Sequence, residues 1–339
     1  MDTYLVRQLT NHDAMEAQSV WASRFPDDSQ PFMDWLFHKH FAPEHCVCVE
    51  MDGVIANMIL GYPMGVRLRG TCLPAMMLYG VSTRVGYERR GLMHVSMQAM
   101  LAHCRETGFP AVFHTPVSMH TYASVGHLPC TRSLYHTTGD GGMPAPVWSF
   151  APDIRQLTDC YRKSTAAYSG CVVRSRDEMA TKMEDYLSDG AQYLTVYRGR
   201  ELAGYALLTP DGEGSYTGEE ALAIDGAAYR ELGKLLPPHT ELKLPPDAGL
   251  SGEIKPQGVM GAVDIPVLLS SIVHDSSLII EVTDGFLPEN SGVYDGMGRR
   301  TNRSPAFSLT AGELMQALCG YKALGDILPA ELCYCIEPY

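Results

Sequence analysis

One stretch constrains the fold of this chain more than any other: AMMLYGVSTRVGYERRGLMHVSMQAMLAHCRETGFPAVFHTP, residues 75–116. An apolar, strand-like run passes through a loop carrying Gly86, Arg89, Arg90 and Gly91 into a helical pattern. In that pattern Met93, Met97, Met100, Leu101 and Cys104 recur at intervals of three and four and share one face. Gly108 and Pro110 stop the helix, and AVFHTP reads as a second strand. The result is a β-α-β unit whose two strands are expected to be parallel and adjacent.

The flanks extend this unit. Residues Tyr4 to Leu9 read as a short strand, followed by a helical stretch with Met15, Val20 and Trp21. CVCVEMDGVIANMILGYP places two apolar or alternating runs around Asp52-Gly53, a strong hairpin signal. The order to this point is β-α-β-β-β-α.

After Pro144 the pattern restarts. Helical stretches are expected around Ile154 to Tyr161 and Asp177 to Leu187, and QYLTVYRGRELAGYALLTP repeats the hairpin logic of residues 46–63. LPPHTELKLPPDAG has too many prolines for a helix and reads as a short strand between turns. From MGAVDIPVLLSSI onward a third unit begins. It holds a helix start, the strand SLIIEVTDG, a loop rich in Gly and Asn, and SPAFSLTAGELMQALCG, where Thr310 and Glu313 match a capping box.

Composition excludes several function classes. With 39 acidic against 26 basic side chains the net charge is -13, which disfavours nucleic acid or an anionic membrane as partner. No run supplies the ~20 apolar residues of a membrane span, and MDTYLVRQLTNHD lacks the order of a signal peptide. A cytoplasmic location is expected. The ten cysteines include two close pairs, Cys46/Cys48 and Cys333/Cys335, with one residue between partners, where metal and redox motifs need two or more. They read as buried thiols. The histidines of HKHFAPEH (His38, His40, His45) read as a helix end without ligand spacing, so no metal is expected. Gly296 and Gly298 form no dinucleotide fingerprint, and the Asn302 glycosylation triplet carries no meaning in the cytoplasm.

The loop before the helix has its own chemistry. A helix beginning near Leu92 leaves several backbone N–H groups without intrahelical acceptors. The helix dipole and Arg89 and Arg90 beside them make an anion site suited to a pyrophosphate. Gly91 lets a phosphate approach the backbone. A solvated turn whose arginines only face water is the bland alternative.

These residues resemble the acetyl-CoA signature of the GNAT superfamily of N-acetyltransferases: Arg or Gln, two residues, Gly, one residue, then Gly or Ala. Here the slots hold Glu88, Gly91 and Met93, so the first and last differ from the pattern. HTYASVGHLP, with a tyrosine four residues before a glycine, resembles a segment of the enhanced-intracellular-survival (Eis-type) branch. GVMGAVDIPVLLSSI resembles that branch's link into its third domain, and LIIEVTDGFLPENSGVYDG its sterol-carrier-protein-like domain. The resemblance implies an α/β (α+β) chain with tandem GNAT-like domains built on mixed central sheets. Residues 1–145 would form the acetyltransferase domain, 146–262 a smaller GNAT-like domain, and 263–339 a sterol-carrier-like α+β domain.

It also implies a site. Backbone groups of Val81, Ser82 and Thr83 would hold the pantetheine arm; Arg89, Arg90, Gly91, Leu92, Met93 and His94 would wrap the pyrophosphate of acetyl-CoA; Val117 and Ser118 would flank the arm. Tyr122 would be the general acid, and the carboxylate of Tyr339 the general base. An alkylamine of pKa ~10.4 is less than about 0.1 % neutral at pH 7, so a proton acceptor is needed. By residue type and region, Phe25, Asp27, Asp28 and Trp35 are candidates to line the amine pocket. The expected partners are a small-molecule or peptide amine and further copies of the chain, with neither nucleic acid nor membrane. The rival reading is a catalytically inactive scaffold of the same fold that binds an apolar or CoA-type ligand.

Overall fold

The computed structural model of the protein describes residues 3–140, 147–211, 214–335 and 337. In chain order the strands are β1 (Leu5–Gln8), β2 (Val47–Met51), β3 (Val54–Leu68), β4 (Thr71–Thr83), β5 (Ala111–His114), β6 (Leu128–Pro129), β7 (Arg132–Thr137), β8 (Cys171–Val173), β9 (Gln192–Arg198), β10 (Glu201–Pro210), β11 (Tyr216–Ala223), β12 (Thr240–Leu244), β13 (Glu253–Pro256), β14 (Val259–Ala262), β15 (Asp275–Thr283), β16 (Gly292–Gly296) and β17 (Phe307–Thr310). The helices are α1 (Ala14–Ala22), α2 (Gln30–Trp35), α3 (Leu92–Glu106), α4 (Met119–Ala123), α5 (Ile154–Thr165), α6 (Arg176–Ser188), α7 (Gly226–Leu235), α8 (Ile265–Ile272) and α9 (Ala311–Cys319). Two compact units result: Met1–Cys130, Gly258–Glu331 and Glu337–Tyr339 form the first, and Thr131–Gln257 with Leu332–Ile336 the second. The boundary expected at 145/146 lies outside the described residues.

In the first unit the strands run β1-β2-β3-β4-β5-β14-β6. The hairpin expected at Asp52-Gly53 joins β2 to β3, and both turn residues have positive φ, 53° and 77°, as a two-residue type I′ turn demands. β3 does not stop at Pro63, where the sequence suggested an end. Met64, Val66 and Leu68 continue the buried alternation, so the ladder with β4 carries on through Pro63 opposite Met76. β4 and β5 are parallel, with Ala75–Met77 beside Ala111–Phe113. Helix α3 crosses between them and buries Met97, Met100, Leu101 and Cys104 against Ile59, Met76, Leu78 and Val112. This is the expected β-α-β unit.

The chain leaves the first unit after Cys130 and re-enters it at Gly258, where β14 pairs antiparallel with both β5 and β6. The segment that follows is fastened to this core. Arg105 of α3 donates to Asn290 Oδ1 at 2.6 Å, and Arg69 donates to the Ala317 carbonyl at 2.8 and 3.1 Å. Gly312 opens α9 where an added Cβ would lie 2.6 Å from the Gly126 carbonyl. The capping box read from Thr310 and Glu313 starts that helix. A three-stranded sheet, β16-β15-β17, lies in the same unit; β16 occupies the stretch rich in Gly and Asn that the sequence suggested was loop.

The second unit carries its own mixed sheet, β13-β7-β12-β11-β10-β9, in which β11 and β12 are the parallel pair. Its hairpin β9/β10 turns at Gly199 and its α5 and α6 lie where the sequence predicted helices. The ending ELCYCIEPY forms no regular strand among its described residues. Cys333 makes one bridge to Ser169, and Tyr334 is held by its hydroxyl, which donates to the Lys243 carbonyl at 3.2 Å. Of the cysteines, Cys72 at the start of β4 is exposed, contrary to the reading of all as buried, and the other nine are buried. Among the described residues no helix is long and apolar enough to cross a membrane, and no cluster of three ligating side chains could hold a metal ion.

Candidate active site

The site begins where two parallel strands part. The ladder between β4 and β5 ends at Met77 and Phe113, yet β4 runs on to Thr83. Among the described residues, no strand ladder continues on the β5 side of β4 from Leu78 onward. Gly80 produces the divergence. Its φ is +55°, and the register between β3 and β4 slips there, from Leu60 opposite Tyr79 to Met58 opposite Ser82. A Cβ on Gly80 would sit 2.3 Å from the Trp21 ring, so only glycine allows this bulge to pack.

Val81, Ser82 and Thr83 thus lie on the open end of β4. The Ser82 hydroxyl and Asn57 Oδ1 are buried there without a hydrogen-bond partner among the described residues, while Asn57 Nδ2 donates to the Thr83 hydroxyl at 2.8 Å. Arg84 then fastens the base of the loop, donating to the Ile55 carbonyl at 2.7 Å and to Glu16.

Loop and helix follow directly. Gly86, Arg89 and Gly91 all have positive φ, at 91°, 61° and 75°. Gly91 is the N-cap of α3 and has no side chain to cap it, so the N–H groups of Leu92 and Met93 at the positive end of the dipole have no side-chain cap from that position. Arg89, Arg90 and His94 are exposed; Leu92 is buried and Met93 half-buried against the core. Arg90 lies over the Tyr87 ring at 5.1 Å.

Glu88, the residue that departs most from the family pattern, is a staple. Its carboxylate accepts from the Gly86 N–H at 2.8 Å and from Arg24, whose Nε also donates to the Thr83 carbonyl. The carboxyl is held below its ordinary range by its own backbone N–H first and by Arg24 second. Arg24 thereby ties the end of α1 to both the open strand and the loop.

The second unit provides an internal contrast. Its helix between parallel strands, α7, starts at Asp225, whose carboxylate accepts from the Ala227 and Ala228 N–H groups at 2.9 Å and pairs with Arg198. That pairing, led by the Arg198 hydrogen bond, lowers the Asp225 pKa. An internal anion already fills this helix end, whereas among the described residues α3 has no side-chain cap at its N-cap position, Gly91.

Past β5 the chain turns through Val117 and Ser118, both exposed, into α4. Ser118 is the N-cap and Tyr122 lies on the helix. The Tyr122 ring meets His114 edge-on at 4.3 Å, and burial pushes its phenol up to about 12. His114 in turn contacts His127, with Nε2 and Nδ1 at 3.0 Å. Tyr339 lies outside the described residues; two positions before it, the Glu337 carbonyl accepts from the Thr115 hydroxyl at 2.8 Å, just beyond β5.

On the other face of β4, Trp21 packs with Phe25 at 4.7 Å and donates Nε1–H to Asp28 at 2.7 Å. Trp35 is buried and stacks on Phe32 and His40, and Asp27 is exposed. Sequence reasoning missed Arg24, Asn57, His114 and His127. For His114 a signal existed, a lone imidazole closing the strand AVFH; for the others nothing local set them apart.

Strand splay, bulge, uncapped helix start and mixed sheet define a GNAT-type transferase fold. Residues 5–129 match the family model described as an acetyltransferase (GNAT) domain. That domain makes the protein an enzyme of the acyltransferase class. Solved structures share the fold over the whole length. One is a protein from Enterococcus faecalis V583 described as a probable N-acyltransferase, 17% identical, covering 100% of both chains at a TM-score of 0.80. Eis1 from Mycobacterium abscessus is 15% identical, with 99% of this chain and 100% of that one covered at 0.76. A GCN5-related N-acetyltransferase from Kribbella flavida is 15% identical, with 100% and 99% covered at 0.77. At these identities the likeness is one of fold. No curated protein sequence matches the chain.

Proposed function

We propose that the protein moves an acetyl group from acetyl-CoA to a primary amine by direct attack, with no covalent enzyme intermediate. The observation that carries this reading is that, among the described residues, β4 runs on beyond its ladder with β5 into a helix whose N-cap, Gly91, has no side chain to cap it. Acetyl-CoA supplies the activated acyl group as a thioester. Val81, Ser82 and Thr83 hold the pantetheine arm through their backbone, and their N–H groups face the charge that develops on the thioester oxygen. Arg89, Arg90, Gly91, Leu92, Met93 and His94 take the pyrophosphate, and Val117 and Ser118 flank the arm.

Tyr122 gives its proton to the departing thiolate. The Tyr339 carboxylate accepts the proton of the attacking amine; the Thr115–Glu337 contact supports a chain end held beside β5. A terminal carboxylate of pKa ~3.5 in water becomes a better base as it is desolvated. The net charge of -13 favours an ammonium-bearing small molecule or peptide as acceptor.

The same reading divides the chain into an acetyltransferase domain (1–145), a smaller GNAT-like domain (146–262) and a sterol-carrier-like domain (263–339), acting in the cytoplasm with further copies of the chain as partners. The test is amine-dependent release of CoA thiol across aminoglycosides, polyamines and lysine peptides, repeated with Tyr122→Phe and with a chain extended beyond Tyr339. Unchanged turnover in both variants overturns the assigned acid and base.

A further inference from the structure

Two fully buried imidazoles stand behind Tyr122. His114 closes β5 and His127 precedes β6; their exposures are 3% and 1%, and Nε2 of the first lies 3.0 Å from Nδ1 of the second. Both residues touch the tyrosine. The His114 ring meets its ring edge-on at 4.3 Å, and the His127 backbone N–H donates to its carbonyl at 3.1 Å. The other nitrogen of His127, Nε2, is buried without a partner among the described residues. It is pressed against Gly261 of β14, where an added Cβ would lie 2.3 Å away.

One proton is shared between the two rings, and the two arrangements differ in what they leave at Gly261. If His114 donates, His127 must carry its proton on Nε2, and a buried N–H faces a backbone carbon with no acceptor, at about 1–3 kcal/mol. If His127 donates, its Nε2 is a bare lone pair and the second N–H sits instead on His114 Nδ1, an atom that is not among the buried groups lacking a partner; orphaned acceptors are better tolerated than orphaned N–H groups. Burial disfavours charge on either ring: His114 is held well below its ordinary value by burial first and His127 second, and His127 falls to about 4 by burial.

We propose that His127 donates Nδ1–H to His114 Nε2, fixing His114 as the neutral Nδ1–H tautomer, and that the locked pair positions the Tyr122 ring for proton transfer. This rests on Tyr122 being the acid. His127 and His114 are positioning residues in this scheme, since neither hands a proton to the thiolate itself. A locked imidazole gives the tyrosine ring one fixed, uncharged wall; a rotating or charged one would not.

The tautomer is read directly from long-range 1H–15N spectra of protein labelled at histidine, with His114 and His127 assigned by the signals lost in His114→Gln and His127→Asn. The expected pattern in the wild type is a protonated Nδ1 on both residues; a protonated Nε2 on His114 overturns the proposal. In a thiol-release assay, His127→Phe keeps a ring but no donor and is expected to lower kcat about tenfold, the kinetic equivalent of one neutral hydrogen bond. The KM for acetyl-CoA should stay within about twofold. His127→Asn places an amide N–H where Nδ1 stood and should restore kcat. A folded His127→Phe with wild-type kcat also overturns the proposal. If no amine is acetylated at all, the functional reading fails while the spectra still decide the tautomer.

Discussion

Replacing Tyr122 by phenylalanine removes one hydroxyl and keeps the ring that packs edge-on against His114, so the fold should survive and the chemistry should not. Burial lifts the phenol to about 12. A departing thiol has a pKa of about 8.5, so moving the proton in a separate step would be uphill by about 3.5 units, or about 5 kcal/mol. The proton must therefore move as the C–S bond breaks, which is where a general acid contributes about 10²–10⁴ in rate. Tyr122→Phe is expected to lower kcat about a hundredfold or more while leaving the KM for acetyl-CoA within about threefold. The raised pKa adds a second signature. At pH 10 a phenol of pKa about 12 is only about 1 % ionised, where an ordinary tyrosine would be half ionised. Wild-type kcat, followed by thiol release from pH 7 to 10.5 with the fold checked by circular dichroism, should show no falling limb near pH 10. A variant within twofold of wild type, or a wild-type limb centred at pH 10, refutes the assignment.

Glu88→Gln removes a negative charge next to the pyrophosphate loop while keeping an acceptor for the Gly86 N–H; acetyl-CoA should bind a few-fold tighter by calorimetry at low salt, with the gain fading in 1 M salt, and weaker binding would mean that losing the Arg24–Glu88 pair costs the loop more than the removed charge returns. Gly80→Ala meets both a φ of +55° and the Trp21 ring, and a loss of about 2–4 kcal/mol is expected in urea unfolding; a neutral effect would mean the bulge is not fixed by that contact. His127 titrates near 4 in the fold and near 6.5 in the unfolded chain, so its contribution to stability is whole above pH 6.5 and is lost as pH falls toward 4. At pH 4.5 the loss is about 2–3 kcal/mol, with His114 acting in the same direction, and His127→Asn should show a correspondingly flatter acid limb in denaturant midpoints.

Much of the first unit was legible because its signals are local. Asp52-Gly53 dictates a hairpin by turn chemistry alone, the methionine face of α3 by periodicity, and the end of α3 by Gly108 and Pro110. The parallel pairing of β4 and β5 then followed from the right-handed crossover. What local patterns could not carry was sequence-distant: β14 enters the first sheet more than a hundred residues after β6, and β16 has a glycine at each end, where a turn is the natural reading. In the site, the loop glycines announced an anion site, but Glu88 read as a misfit because its partner, Arg24, lies 64 positions away. His114 and His127 are separated by a helix and a turn, and only the fold makes them a pair.

The central claim is that the open end of β4 and the start of α3 form an acetyl-CoA site. Titration calorimetry of the full chain with acetyl-CoA tests it most directly. One molecule per chain should bind with a micromolar Kd, and at about a hundred times Kd the fold should gain about 2.7 kcal/mol; no heat and no stabilisation at millimolar acetyl-CoA would contradict the account.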